Sequence, residues 1–224
     1  MSLKNFIIDS PFYDFFGKRS FGQSGEDVIV ATEIGNKKKG FYVDVGAFHP
    51  KQFSNTYLFY KRGWEGIVVE PNQDLCRLYE KMRPRDICLN VGVGKREAVA
   101  DYIMMDNPAA NTFSEKEALE SVEKAGRKIL KRRPVAILPL SKILYKNVPK
   151  GTEIDLMSVD TEGMDYEVLE SNDWEKYRPK IVVSEDMKFD VKNWKKSKVM
   201  VLLDEKGYDL LAMTPYSLIF KRHD

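Results

Sequence analysis

Cysteine is scarce in this sequence, charge of one sign is not in excess, and long apolar runs are missing. Two cysteines, Cys76 and Cys88, stand among 224 residues. Two cannot build a disulfide framework or, by themselves, a zinc site, so they are expected to be reduced thiols of a cytoplasmic protein. A net charge of +2 gives no global pull toward nucleic acid. The basic residues are mostly interspersed with acids and no base-stacking motif accompanies them, so nucleic acid is disfavoured as a partner. The apolar runs fall well short of the roughly 20 residues a bilayer span needs. The N-terminus lacks the succession of basic segment, apolar segment and cleavage site, so no transmembrane segment is expected and the location is read as cytoplasmic. The spacing G-x-G-x-x-G is also missing, which counts against an NAD(P)-linked oxidoreductase. There is no internal repeat and no low-complexity segment.

What is present suits one α/β domain. Apolar residues make up 43% of the chain and charged residues 31%, enough for a core under a charged surface. From Gly22 onward, strand-like and helix-like stretches alternate. Ser24 and Asp27 have capping-box spacing and predict a helix through Val28, Ile29 and Ile34. Strands are predicted at Phe41–Gly46, Gly66–Glu70 and Asp86–Val91, with helices near Ser54–Arg62 and Asn72–Met82. Val99–Met104 reads as an extra strand, and 106–112 as a loop turned at Asn107-Pro108. Ser114 and Glu117 form a second capping box, opening a long polar helix to about Arg132. Strands return at Asp155–Asp160 and Lys180–Glu185, around a helix at Asp165–Glu170. A helix from about Val191 to Glu205 and two strands, Tyr208–Met213 and Ser217–Arg222, close the chain. The expected fold is a doubly wound α/β sheet of seven main strands with the last antiparallel.

Two parts lie outside this frame. The arm Met1–Phe21 carries Phe6, Phe12, Tyr13, Phe15, Phe16 and Phe21. It is read as packing on the domain's own surface, with a substrate cover or a homodimer contact as the alternative. The domain itself is taken as 22–224, and the helical insertion near 106–134 is a candidate lid.

Three strands end in acids, and the carboxyl edge of an open α/β sheet is where ligands bind. The first ends Val43-Asp44-Val45-Gly46-Ala47, where a glycine lets the backbone approach a ligand closely. The second ends Val69-Glu70-Pro71-Asn72, and its carboxylate is placed to grip two ribose hydroxyls. The third ends in Asp160, followed by Glu162 and Asp165. Each has a plain structural alternative, a strand-to-helix turn or an exposed strand end. Three together point to an enzyme.

The chain resembles a class I methyltransferase of the FkbM family. The resemblance rests on Gln23-Ser-Gly-Glu-Asp27, Phe41-Tyr-Val-Asp-Val-Gly-Ala-Phe-His-Pro50, Phe53-Ser-Asn-Thr-Tyr57, Gly63-Trp-Glu-Gly-Ile-Val-Val-Glu-Pro-Asn72, Asp160-Thr-Glu-Gly-Met-Asp165 and Tyr177-Arg-Pro-Lys180 leading to Glu185. It implies S-adenosyl-L-methionine as donor and a hydroxyl oxygen, on a sugar or natural product, as acceptor. It further implies that Asp44, Gly46 and Ala47 line the donor's methionine and adenosine, that Glu70 holds the ribose, and that Asn90 lies near the adenine. Gln23, Ser24 and Glu26 are implied to close over the donor, and Ser54-Asn55-Thr56 to contact donor or acceptor. The segment from Ala47 to Asn55 is longer and bulkier than the glycine-rich loop of most class I methyltransferases.

Methyl transfer from a sulfonium is an in-line displacement, with the acceptor oxygen held about 3 Å from the methyl carbon. A hydroxyl is a poor nucleophile until its proton is removed, and a nearby base contributes about 10²–10⁴-fold. Asp160 is the best-placed base, with Glu162 beside it in the catalytic set; His49 is the alternative base, or else a core-capping or surface histidine. Asp160, Glu162 and Asp165 are the oxygens that would hold a divalent ion; the reading adopted uses none. Glu185 and Asp186 end the fifth strand and either bind acceptor hydroxyls or simply close it. The run Arg127, Lys128, Lys131, Arg132, Arg133 is read as a solvated helix end, or as a phosphate contact for a nucleotide-linked sugar or lipid-linked saccharide. The expected function is an O-methyltransferase acting on a saccharide-like hydroxyl, the alternative a non-catalytic module of the same fold in a polysaccharide assembly system.

Overall fold

Parallel strands buried on both faces form the centre of the computed structural model, which describes residues 20–223. Of the aromatic arm, only Ser20 and Phe21 fall within these residues; the rest of that expectation lies outside them. The sheet is built from β1 (Phe41–Val45), β2 (Glu65–Val69), β3 (Ile87–Leu89), β7 (Leu156–Val159), β8 (Ile181–Glu185), β9 (Tyr208–Met213) and β10 (Ser217–Arg222). Their spatial order is β3-β2-β1-β7-β8-β10-β9. The first five run parallel, and β10 is antiparallel to both of its neighbours. The chain reverses direction in sheet order between β1 and β7. That is the switch point at which open α/β sheets bind ligands.

Helices cover both faces: α1 (Glu26–Ile34), α2 (Tyr57–Lys61), α3 (Gln73–Met82), α5 (Leu140–Asn147), α6 (Asp165–Glu170) and α7 (Lys198–Glu205). One core gathers Val43, Val45, Ile67, Met157, Leu144, Leu169, Leu203 and Phe220. A second lies across the sheet, with Tyr42, Phe59, Trp64, Leu156 and Ile219. The insertion is a small second sheet of β4 (Gly92–Val93), β5 (Ala98–Met105) and β6 (Ile129–Leu138), in the order β4-β6-β5, with helix α4 (Glu115–Ala125).

Several expectations need correction. The helix opened by Ser114 stops at Ala125, where Gly126 adopts φ 64°; a residue without Cβ enters the left-handed region at little cost and ends the helix there. Lys131, Arg132 and Arg133 therefore lie on strand β6, not on a helix end. The Nη1 and Nη2 atoms of Arg132 grip Glu115 at 2.7 and 2.8 Å, and Arg133 donates to Gln73. The capping box at Ser24 does not form. Gly25 is the N-cap of α1 with φ 90°, and the acids Glu26 and Asp27 instead accept from the backbone N–H groups of Ser24 and Phe21. Val191–Lys196 is a separate 3₁₀ segment ahead of α7. Cys76 and Cys88 are bonded to each other, with their Cα atoms 5.7 Å apart. Helix α3 returns directly into β3, so a thiol on the helix faces one on the strand, a proximity that spacing alone does not reveal.

One side chain missed by sequence reasoning organises the underside of the β1–β2 region. Arg83 is fully buried. Its Nε meets Asp86 at 2.7 Å, Nη1 donates to the Pro50 carbonyl and Ser54 Oγ, and Nη2 donates to Tyr42 Oη and Thr56 Oγ1. Every donor direction of the guanidinium is used, and three tyrosine rings (Tyr42, Tyr60 and Tyr79) lie around it. Removing one partner of such a pair strands the other as a buried charge, at a cost of about 3–5 kcal/mol. Arg83→Met is therefore expected to lower the unfolding free energy from urea titration by that amount. Adding Asp86→Asn should recover part of it, because the stranded carboxylate is then gone.

Candidate active site

The carboxyl ends of β1, β2 and β7 open into one cleft of about 880 Å³. Asp44, Gly46, Ala47, Asn55, Glu70, Asp160, Glu162 and Gln23 all line it, so the structure gathers eight of the expected site residues on one surface. Ser24, Glu26, His49 and Asn90 are not among its lining residues. Glu26 lies just behind, accepting from Ser24 N and from Thr214 Oγ1 at 2.8 Å each. His49 uses Nδ1 to accept from the backbone of Lys51 and Gln52 at 3.2 and 3.1 Å, which makes it a turn-stabilising residue in this structure. Asn90 spends its amide on the carbonyls of Glu70 and Pro71 and so fixes the end of β2 from beneath.

Each acid is positioned by its own contacts. Asp44 Oδ2 accepts from Thr56 Oγ1 at 2.5 Å, and Thr56 in turn receives from Arg83. Burial pushes the Asp44 carboxyl up, against the pull of Thr56 and Arg83. Glu70 accepts from the backbone N–H of Asn72 at 2.7 Å and of Phe48 at 2.8 Å. Burial nonetheless raises it to about 8, since desolvation of a carboxylate outweighs two amide donors. Asp160 is raised by burial and by the neighbouring charges of Asp44 and Glu26. Glu162 is raised by burial, then by Asp160 and Glu117. It also sits at φ 51°, a left-handed backbone that costs a non-glycine residue about 1–2 kcal/mol.

Gly46 shows why the first acid strand must end in glycine. Its φ is +73°, and an added Cβ would stand 1.8 Å from the Asp160 carbonyl oxygen. Its N–H bonds Val69 O at 2.9 Å, while Asp160 N bonds Val45 O at 3.0 Å. The ends of β1, β2 and β7 are thus laced together at the floor of the cleft.

The insertion supplies the opposite wall, through Gly92, Val93, Tyr102, Asn111, Thr112 and Phe113. Sequence reasoning named none of these as ligand contacts. Asn111 is buried with Nδ2 lacking an acceptor, and Thr161 Oγ1 likewise has no partner. Buried unpaired polar atoms are rare in folded proteins, and both residues line the cleft. The cleft thus joins an aliphatic and aromatic slot to a buried carboxyl, a buried amide and a glycine floor, a lining of the kind that small organic ligands occupy.

Beside this cleft lies a second, of about 760 Å³, which shares Glu162 and is lined by Glu117, Asp165, Tyr166, Glu185, Lys188 and Lys198. Burial and the charges of Asp160, Glu162 and Asp165 raise Glu185.

A seven-stranded sheet of this order, with its cleft at the switch point, is the class I methyltransferase fold. Residues 44–210 match the model of the Methyltransferase FkbM domain. The chain belongs to that family. Among solved structures it is similar to a methyltransferase FkbM from Methylobacillus flagellatus KT, with 12% identity, 82% of this chain and 44% of that chain covered, and a TM-score of 0.48. This chain thus spans less than half the length of that protein. It is also similar to a TehB-like SAM-dependent methyltransferase from Corynebacterium glutamicum (9% identity, 98% and 97% covered, TM-score 0.43). A third is an O-methyltransferase from Bacillus cereus in complex with SAH (8% identity, 96% and 88% covered, TM-score 0.40). No curated protein matches the sequence. No helix among the described residues is long and apolar enough to cross a membrane.

Gly46→Ala is expected to lose more stability than the roughly 1–2 kcal/mol its φ alone would cost, because the added methyl collides with backbone. Chemical denaturation checks the stability, and calorimetry with S-adenosylhomocysteine should show that donor-site binding is lost.

Proposed function

We propose that the chain transfers the methyl group of S-adenosylmethionine to a hydroxyl of a sugar or saccharide-like acceptor. The observation that carries this reading is the convergence of Asp44, Glu70 and Asp160 on one cleft, with a second, acid-walled cleft opening beside Asp160. The donor, when bound, supplies an electrophilic methyl on sulfur. Glu70 takes the ribose hydroxyls, Asp44 and the Gly46 backbone flank the methionine end, and Asn111 Nδ2 donates to the adenine. Gln23 and Asn55 close the near side.

Asp160 serves as the base. It lines the first cleft next to Glu162, the residue shared with the second, and its carboxyl is held above the usual range, nearer the strength a hydroxyl's proton requires. As the new C–O bond forms, the S–C bond breaks, the hydroxyl proton passes to Asp160 and the sulfonium becomes a neutral thioether. Glu162, Glu185 and Asp165 give the second cleft several acceptor oxygens, and Tyr166 gives it a ring, a combination suited to a polyhydroxylated molecule. The cytoplasmic location expected from the sequence belongs to the same proposal, although the Cys76–Cys88 bond removes the reduced thiols as a ground for it.

Glu70 sets the pH dependence of donor binding. Its carboxyl is raised from 4.5 to about 8 in the folded chain. The folded state therefore holds a proton that the unfolded state has lost in this window, and stability falls as pH rises from 4.5 toward about 8. Ribose hydroxyls donate to the ionised form, so binding drives that proton off. S-adenosylhomocysteine affinity should strengthen as pH rises toward about 8 and level off above it. Proton release is measurable by calorimetry in buffers of different ionisation enthalpy, and Glu70→Gln should abolish both the slope and the release. Absence of S-adenosylhomocysteine binding at every pH would overturn the reading.

Asp160→Asn should retain donor binding and lower single-turnover methyl transfer by about 10²–10⁴-fold. Transfer is followed from labelled S-adenosylmethionine into a panel of saccharides, and into surface glycans from a deletion strain, which accept label only where a methyl is missing. Donor binding with no transfer to any of them, and no difference between the unaltered chain and the Asp160→Asn variant, would favour a non-catalytic module instead.

A further inference from the structure

The acids between the two clefts have no cationic side chain beside them among the described residues. Asp160, Glu162 and Glu185 each offer one oxygen, and these oxygens lie within 4.8 Å of one another. Among the described residues none of the three has an ion-pair partner. Of the two lysines lining the second cleft, Lys188 is engaged by Glu117 at 3.5 Å and Glu120 at 3.8 Å. Lys198 lies over the Tyr166 ring, 5.1 Å from its centroid.

A second observation points the same way. Asp165 is 5% exposed, yet its Oδ1 has no hydrogen-bond donor. It stands in the wall of the second cleft with Glu162 and Glu185. A buried carboxyl oxygen left without a donor is costly unless a ligand or a ligand's water completes it.

We propose that Asp160, Glu162 and Glu185 bind a divalent cation of the magnesium, manganese or calcium type, with Asp165 Oδ1 behind them receiving a water of its hydration shell. The spacing suits it. Oxygens on opposite sides of a cation are separated by twice the metal–oxygen distance, about 4.2 Å for Mg²⁺ and about 4.8 Å for Ca²⁺. Three oxygens that are already this close need only side-chain adjustment to enter one coordination sphere. All are hard carboxylate oxygens, and the set contains no nitrogen or sulfur, which disfavours zinc and copper. An ammonium is the other cation that carboxylate oxygens accept, and competition separates it from a divalent ion.

The set differs from the one the sequence suggested. Asp165 lies on helix α6 one turn beyond Glu162, but Glu185, from the end of β8, takes its place beside Asp160. The proposal deepens the function above and rests on it for the acceptor. Glu162 and Glu185 line the second cleft, so a cation they held would border it and would make an acceptor hydroxyl bound there a stronger acid.

The test is titration of the apo chain with Mn²⁺, followed by the paramagnetic signal of the free ion, alongside a separate S-adenosylhomocysteine titration on the same sample. Saturable uptake of one Mn²⁺ per chain is expected, competed by Ca²⁺ or Mg²⁺. Glu185→Gln should weaken it by at least about tenfold, as should Glu162→Gln. Glu185 lies outside the donor cleft, so Glu185→Gln should still bind S-adenosylhomocysteine, which also shows that this chain has folded. No saturable uptake by the unaltered chain, or uptake undiminished in both variants, would overturn the cation site. So would competition by methylammonium in place of divalent ions. Intact S-adenosylhomocysteine binding in those cases leaves the methyltransferase reading standing, whereas its loss with Mn²⁺ uptake retained removes that reading and not this one.

Discussion

A buried guanidinium is the constraint on which the first cleft depends. Arg83 reaches from the end of α3 under β1 and fastens four separate pieces of chain: the Asp86 turn, the Pro50–Ser54 loop, Tyr42 on β1 and Thr56 before α2. Thr56 hands this order on to Asp44 through a 2.5 Å hydrogen bond. The long loop after β1 has no secondary structure of its own to hold it. Its conformation, including the left-handed Phe48 and Phe53 at φ 50° and 56°, is fixed by the arginine below and by Glu70 accepting from Phe48 N above. The bulky loop that replaces a glycine-rich turn is tolerable because it is tied at both faces.

The cost of gathering acids at one sheet edge is partly met by geometry. Asp44, Glu70 and Asp160 come from three adjacent strands whose ends approach so closely that only glycine fits at position 46. Burial raises all three carboxyls. Such groups are poised to accept protons or hydroxyl donors from a ligand, whereas solvent-exposed acids would be ionised and screened. The site is thus electrostatically incomplete without what it binds.

Much of this was legible in the sequence, because strands buried on both faces leave near-continuous apolar runs and their acid ends stand out. The strands at Tyr208–Met213 and Ser217–Arg222 agree with the structure to the residue, helped by the turn at Thr214-Pro215. Asp44, Glu70 and Asp160 were placed by the same logic. Other features depend on distant partners and leave no local mark. Arg83 reads as one more charge in a helix end. Asn111 reads as loop polarity, although its Oδ1 accepts from Met105 N and its Nδ2 is left for the cleft. The strand β6 carries Lys131, Arg132 and Arg133 in succession, a composition that imitates a basic helix end; its pairing with β5 across eight registered positions decides otherwise. The Cys76–Cys88 bond is likewise a product of the α3–β3 return.

The insertion is pinned where the acids are. Thr112 Oγ1 donates to the Glu162 carbonyl at 2.8 Å, holding the residue in its left-handed backbone. One residue on, Gly163 has φ +97°, and a Cβ there would lie 2.4 Å from Glu117 Cγ. Helix α4 therefore packs directly on the backbone that carries Glu162 and sends Glu117 into the second cleft. The donor wall (Asn111, Thr112, Phe113) and the acid-bearing loop are thus two faces of one contact. Any shift of the insertion that widened the donor cleft would also move Glu162 relative to Asp160 and Glu185. Thr112 and Glu117 thus join the walls of the two clefts through the backbone of Glu162 and Gly163.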